Sequence, residues 1–133
     1  MSAEKETEHA ARPRREHLIT FAVGALGYGA LELLWRGHTH WTMLLCGGLA
    51  LLLLRAVSAL ALPLAVQALV GTAGITALEL AVGLVVNRGL HWNVWDYSDR
   101  WGNLWGQICP LYCVLWYGLC AAVLAALRQG TTE

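Results

Sequence analysis

Residues 41–60 read WTMLLCGGLALLLLRAVSAL, a run of twenty in which Arg55 is the single charged side chain. At about 1.5 Å of rise per residue such a helix is about 30 Å long, the thickness of a bilayer's hydrocarbon core. A helix on the surface of a soluble protein would carry a polar stripe facing water, and this run has none. Its solvent is therefore lipid. The rest of the chain repeats the pattern. Residues 18–35 (LITFAVGALGYGALELLW) form an apolar run broken by Glu32, a third run extends from about Pro63 to Val86, and a fourth from about Ile108 to Leu127. Pro63 and Pro110 lie near the starts of the last two, where a missing N–H costs nothing. Spans two and three are almost continuous, and Arg55, Ser58 and Pro63 mark a tight turn between them.

Composition agrees. Of 133 residues 57% are hydrophobic and 14% charged, against about 25% charged in an ordinary soluble domain. The expected fold class is all-α: an integral membrane four-helix bundle with spans at about 18–35, 41–60, 63–86 and 108–127. Residues 1–16 (MSAEKETEHAARPRRE) are polar and of mixed charge, and read as a mobile, disordered cytosolic tail; residues 129–133 form a short C-terminal tail. The first span lacks an A-x-A cleavage site and contains Glu32, so no processing is expected.

Basic residues orient the spans. Lys5, Arg12, Arg14, Arg15, Arg55 and Arg128 fall on one side, and Arg36, Arg88 and Arg100 on the other. Six against three places both termini in the cytosol by the positive-inside rule. Most of that margin comes from one tail, which leaves dual topology open. A bacterial cytoplasmic membrane is the expected location. Net charge is zero and no basic patch forms, so nucleic acid is excluded as a partner. Cys46, Cys109, Cys113 and Cys120 all lie in apolar segments, where cysteine acts as a small hydrophobe.

The connection 87–107 (NRGLHWNVWDYSDRWGNLWGQ) contains four of the seven tryptophans. Amphipathic rings prefer the headgroup level. The segment reads as a Trp-rich interfacial lid between spans three and four, formed by Trp92, Trp95, Tyr97, Trp101 and Trp105, with Gly102 and Gly106 permitting tight turns.

Two carboxylates lie inside spans. Glu32 is roughly 21 Å along span one from Leu18, and Glu79 roughly 22 Å along span three from Leu64. Both belong to the outer part of the hydrocarbon core, where an ionised acid must be paired, hydrated or protonated. Arg36 follows Glu32 by one turn on the same face. Gln67, Gly71, Ile75, Glu79, Gly83 and Asn87 recur every four residues, a largely polar or small stripe that should face protein or a hydrated cavity. Gly24, Gly27 and Gly29 offer close helix contact on span one. With Gln107 opening span four and Asp96, Asp99 and Asn103 above it, a converging polar pocket is expected beneath the lid. Its ligand- or ion-binding residues would be Glu32, Arg36, Glu79, Asn87, Asp96, Asn103 and Gln107. The bland alternative makes Glu32–Arg36 a structural ion pair and Glu79 an interhelical hydrogen bonder. His38, His40 and His91 share the outer side, but loop histidines there are more often plain polar residues, and no metal or other cofactor is expected. No phosphate loop, nucleophile elbow or H-E-x-x-H motif occurs.

Gly27-Tyr28 followed by Glu32 and Arg36, then Trp41-Thr42-Met43 and Gly47-Gly48, resemble the first half of a family of small membrane proteins. Glu79, Asn87, Trp95-Asp96-Tyr97-Ser98, Asn103 and Gly106-Gln107-Ile108-Cys109 resemble its second half. The family is "putative ABC-transporter type IV", or CmpB-like, and the resemblance covers about residues 20–120. It implies a four-span fold with its motif residues gathered on one side. A permease of the ABC type needs a cytosolic surface for an ATPase; this chain offers a short turn there and has no Walker motif.

Three function classes follow. The first is a small transport or channel-like protein binding a cation, proton or small amine at its intramembrane carboxylates, as a homodimer or with a partner membrane subunit. The second is a membrane enzyme or lipid-binding protein at the outer leaflet, with Asp96, Glu32 or Glu79 as general acid or base. The third is a structural or assembly subunit whose polar groups are all satisfied internally. No catalytic motif favours the enzyme.

Overall fold

The structure, a computed structural model, describes the backbone of residues 3–132 and the side chains of residues 3 and 14–128. Among these residues the fold is all-helical, with four helices: α1 (Ala3–Arg36), α2 (Trp41–Ser58), α3 (Leu64–Gly83) and α4 (Pro110–Thr132). An isolated bridge between Leu104 and Ile108 forms the remaining regular pairing. Four segments are long and apolar enough to cross a membrane: Arg14–Arg36, Trp41–Ser58, Leu64–Gly89 and Pro110–Arg128. Large apolar side chains point outward from them, with Leu34 85% and Leu26 71% exposed. Water would not tolerate this in a domain of this size, whereas lipid does. The chain is an integral membrane protein.

It divides into two compact units, Met1–Leu52 and Leu53–Glu133. In the first, α1 starts at Ala3 rather than near Leu18, so the backbone of residues 3–16 is helical where a mobile tail was expected. Met1 and Ser2 lie outside the described residues. Ala, Glu, Lys and Arg dominate this stretch and are strong helix formers. Joined to a formed span, they extend a helix without paying the nucleation cost again, even across Pro13.

Helix α1 stops at Gly37, whose φ of 79° supplies the left-handed residue of a C-terminal cap. Its N–H donates to Leu33 O at 3.0 Å. His40 then caps α2: its carbonyl accepts the Met43 N–H at 2.9 Å, and its Nδ1 lies 2.7 Å from Thr42 Oγ1. Glycines bring α1 and the first part of α2 together. Phe21 covers Gly48, Tyr28 covers Gly47 and Leu44 covers Gly29, while Gly27 faces open space. A Cβ on Gly24 would stand 2.5 Å from Gly47 O and 2.7 Å from Leu51 Cβ. Backbone cannot yield cheaply, so Gly24→Ala should cost about 1–3 kcal/mol, while Gly27→Ala should be neutral. Equal unfolding midpoints in detergent for the two variants would refute this packing.

In the second unit, α3 begins after Pro63, whose carbonyl accepts the N–H groups of Val66 and Gln67 at 3.0 and 2.9 Å. The helix does not end at Val86 as its apolar run suggested. It widens into a π-helical turn, Leu84–Gly89, with Leu90 N–H reaching Val85 O at 2.9 Å. Such turns are frequent at functional sites. This one carries Asn87 to the head of the connection. Pro110 is the first residue of α4, as its missing N–H favours. The helix continues to Thr132, so residues 129–132, read as a tail, have helical backbone; Glu133 lies outside the described residues.

Candidate functional site

The carboxylate Glu32 is buried in the first unit and held from two directions. Arg36 Nη1 donates to Oε1 at 3.1 Å and Thr39 Oγ1 to Oε2 at 3.0 Å. The i,i+4 pair expected from spacing forms at the end of α1, and Thr39 ties the turn to it. His40 serves as a helix cap. Among the described residues no group of three or more His, Cys, Asp or Glu side chains gathers that could hold a metal ion.

Asn87, Asp96, Asn103 and Gln107 belong to the second unit, where they build one scaffold. Asn87 Oδ1 accepts the Val94 N–H at 2.7 Å and the Trp95 N–H at 3.4 Å. Its Nδ2 donates to Gln107 Oε1 at 2.8 Å. The Gln107 carbonyl receives the indole N–H of Trp95 at 3.0 Å, and its Nε2 donates to Trp105 O at 2.9 Å. Gly83 makes this possible, because a Cβ there would collide with Gln107 Oε1 and come within 2.9 Å of the Trp95 ring. Asn103 Nδ2 donates to Arg100 O at 2.9 Å, while its Oδ1 accepts the Gly106 N–H at 3.0 Å. Gly106 has a φ of 73°, which permits this tight reversal. Tyr97 stacks on Tyr112, with centroids 4.7 Å apart, and Arg100 lies 5.6 Å above the same Tyr112 ring.

Asp96 and Asp99 are exposed. Asp96 Oδ1 accepts the Ser98 N–H at 2.9 Å. This bond and a second one from the Ser98 side chain hold the Asp96 carboxyl below its ordinary range. A lowered folded-state pKa means the stabilisation is present above the unfolded-state value. It is lost as pH falls through the folded one. Protection of the Ser98 amide from hydrogen exchange should therefore weaken on acidification below about pH 4, and Asp96→Asn should remove that dependence while keeping an acceptor. A wild-type amide insensitive to acid would contradict it.

The aromatic residues divide. Trp95 is 3% exposed and is the packed centre of the connection, whereas Trp92, Trp101 and Trp105 are exposed. Sequence had grouped them together. Burial of Trp95 follows from the one indole bond that a neighbouring backbone carbonyl can satisfy.

Glu79 stands apart from this scaffold. It is 8% exposed in the body of α3, and Trp116 Nε1 of α4 donates to its Oε2 at 3.1 Å. Trp116 carries no charge and no spacing signal, and sequence reading missed it. An indole N–H inside an apolar span must find an acceptor, and that was the available clue. No buried side-chain nitrogen or oxygen among the described residues is left without a hydrogen bond.

A family model described as "Putative ABC-transporter type IV" matches residues 41–132. No curated protein and no solved structure matches the chain.

Proposed function

The chain belongs to the family "Putative ABC-transporter type IV", and from that membership we propose a small transport or channel-like membrane protein that binds a cation, proton or small amine at Glu79. The observation that carries this reading is a carboxylate buried at the α3–α4 contact, inside a segment apolar enough to span a membrane. An acid at that depth is costly and is retained where it serves an ion or substrate pathway. Of the seven candidate residues, Glu32 and Arg36 form a local pair, and Asn87, Asp96, Asn103 and Gln107 build the connection. Glu79 is the one held between two spanning helices, by Trp116 of α4.

In this reading both termini are cytosolic, and the exposed Trp92, Trp101 and Trp105 lie at the outer interface as a gate. A second copy or a partner subunit completes the pathway, because four helices enclose little space. Purified protein in proteoliposomes should carry potassium, proton or methylammonium flux above empty liposomes, and Glu79→Gln should abolish it. Indistinguishable wild-type and variant fluxes for all three would overturn the reading. The structural-subunit alternative draws support from the absence of buried unsatisfied side-chain atoms among the described residues. It predicts that Glu79→Gln lowers stability with no separable loss of flux.

A further inference from the structure

The turn at residues 100–103 holds a tryptophan outward on a braced backbone. Asn103 N–H donates to Arg100 O at 3.3 Å, and Arg100 N–H to Tyr97 O at 2.8 Å. Gly102, with a φ of 70°, takes the left-handed position that such a reversal needs. Asn103 Nδ2 ties the turn from within, donating to Arg100 O at 2.9 Å and reaching Ser98 O at 3.2 Å. Trp101 at its tip is nonetheless 87% exposed, and Leu104 and Trp105 after it are exposed as well. The depth of this turn is set by α4. A Cβ on Gly102 would stand 2.9 Å from Pro110 Cγ, so the turn is seated against the first residue of that helix. Pro110 also begins a segment apolar enough to span a membrane. Trp101 therefore lies where hydrocarbon gives way to headgroups, the level that indoles prefer.

Arg100 adds a fixed charge to this apolar edge. Its guanidinium carbon lies 5.6 Å from the centroid of the Tyr112 ring. Tyr112 is itself fixed by stacking on Tyr97, with centroids 4.7 Å apart. Tyr112 belongs to the first turn of the spanning segment, so the cation is held at the boundary of the hydrocarbon. Among the described residues no carboxylate comes within ion-pairing distance of it. Asp96 gives its Oδ1 to the Ser98 N–H instead. Arg128, at the other end of the same span, is by contrast bonded to Gln67 and to Leu62 O within the chain. A guanidinium at the membrane boundary with no acid beside it calls for an anion from outside. Its planar fork matches two oxygens of a phosphate.

We propose that Arg100, Trp101 and Tyr112 form a site for the phosphate of a phospholipid in the leaflet that meets the 87–107 connection. The Tyr112 ring supports one face of the guanidinium and leaves its N–H edge to the phosphate oxygens. The Trp101 indole lies along the glycerol and upper acyl region of the same lipid. The site stands apart from Glu79. It requires neither transport nor a particular orientation of the chain across the membrane.

The test uses full-length protein in dodecyl maltoside, titrated with dioctanoyl phosphatidylglycerol while the thermal unfolding midpoint is followed. The wild-type midpoint should rise with this lipid. It should respond neither to dioctanoylglycerol, which lacks the phosphate, nor to inorganic phosphate, which lacks the chains. Arg100→Gln should weaken the apparent affinity roughly tenfold or more, the scale of a lost charge-assisted hydrogen bond. Arg100→Lys should fall between the two, since it keeps the charge and loses the fork. Trp101→Ser should weaken binding as well. Both side chains are exposed, so these variants keep the fold. An unresponsive wild type, or an Arg100→Gln titration equal to wild type, overturns the proposal. An equal rise with dioctanoylglycerol overturns phosphate recognition, and an equal rise with inorganic phosphate overturns the lipid assignment. A wild-type dimer that Trp101→Ser dissociates, read by light scattering, gives the patch to a second copy and overturns it too.

Discussion

Asn87→Ala is expected to unfold the 87–107 connection while α3 and α4 remain helical. One short side chain holds three partners there: the Val94 and Trp95 backbone N–H groups and the Gln107 side chain. Truncation leaves a strongly bonded N–H and the Gln107 amide oxygen without their partner. At about 1–3 kcal/mol for each buried group left unsatisfied, the loss should be on the order of 3 kcal/mol, with the long Trp95 contact adding little. Trp95, now 3% exposed, would meet water or headgroups. Its emission should shift to the red, and proteolysis within the connection should become fast. Asn87→Asp tests the mechanism, since it keeps the acceptor for Val94 but sets a negative charge against the Gln107 oxygen. It should fall between wild type and Asn87→Ala. Wild-type protease resistance in Asn87→Ala would refute the hub.

Gln67→Leu should loosen the opposite end of the same unit by a similar amount. Helix α2 ends at Ser58 without a glycine cap, and its final carbonyls need donors. Gln67 supplies them from α3: Nε2 donates to Leu60 O at 2.9 Å, with Val57 O at 3.3 Å and Ser58 O at 3.4 Å also in reach. Its Oε1 accepts from Arg128 Nε at 3.1 Å and Nη2 at 2.8 Å. Arg128 Nη2 also donates to Leu62 O at 2.6 Å. Leucine matches the volume and none of the bonds. Val57 O and Leu60 O keep backbone donors and Arg128 keeps Leu62 O, so the loss falls chiefly on the two charged contacts to Gln67 Oε1. A loss of roughly 3 kcal/mol follows, read as a lower midpoint in detergent unfolding. Arg128→Lys should recover little, because an ammonium cannot reproduce the two-armed guanidinium contact. An unfolding midpoint equal to wild type in Gln67→Leu would remove the clamp from the account.

Both positions were visible beforehand only as members of a stripe repeating every four residues. The period places Gln67, Gly71, Ile75, Glu79, Gly83 and Asn87 on one face, and the structure buries that face from Gln67 to Gly83. It does not reveal what each member bonds to. Asn87 and Gln107 are twenty positions apart, and Gln67 and Arg128 sixty-one, separations at which no local rule applies. The Glu32–Arg36 pair, by contrast, lies within a single turn, and spacing alone foretold it. Trp95 shows the limit from another side. Composition treats all tryptophans in the connection alike, and only the position of the Gln107 carbonyl singles one out for burial.

The four long apolar segments that opened the reading at residues 41–60 were determined by sequence. Lipid demands helices of fixed length whose backbone groups are satisfied internally, and hydropathy states where they lie. The helical start at Ala3 and the π-helical extension past Val86 needed the backbone itself, because both continue a helix through residues whose side chains suggest a break. Tertiary structure also decided which partner each polar residue meets. Hydrogen bonds are directional and reach about 3 Å, so a residue's role depends on the atom that the fold brings opposite it. By that measure Asn87, Asn103 and Gln107 are spent on the connection, Glu32 on its arginine, and Glu79 is set against an indole on the neighbouring helix.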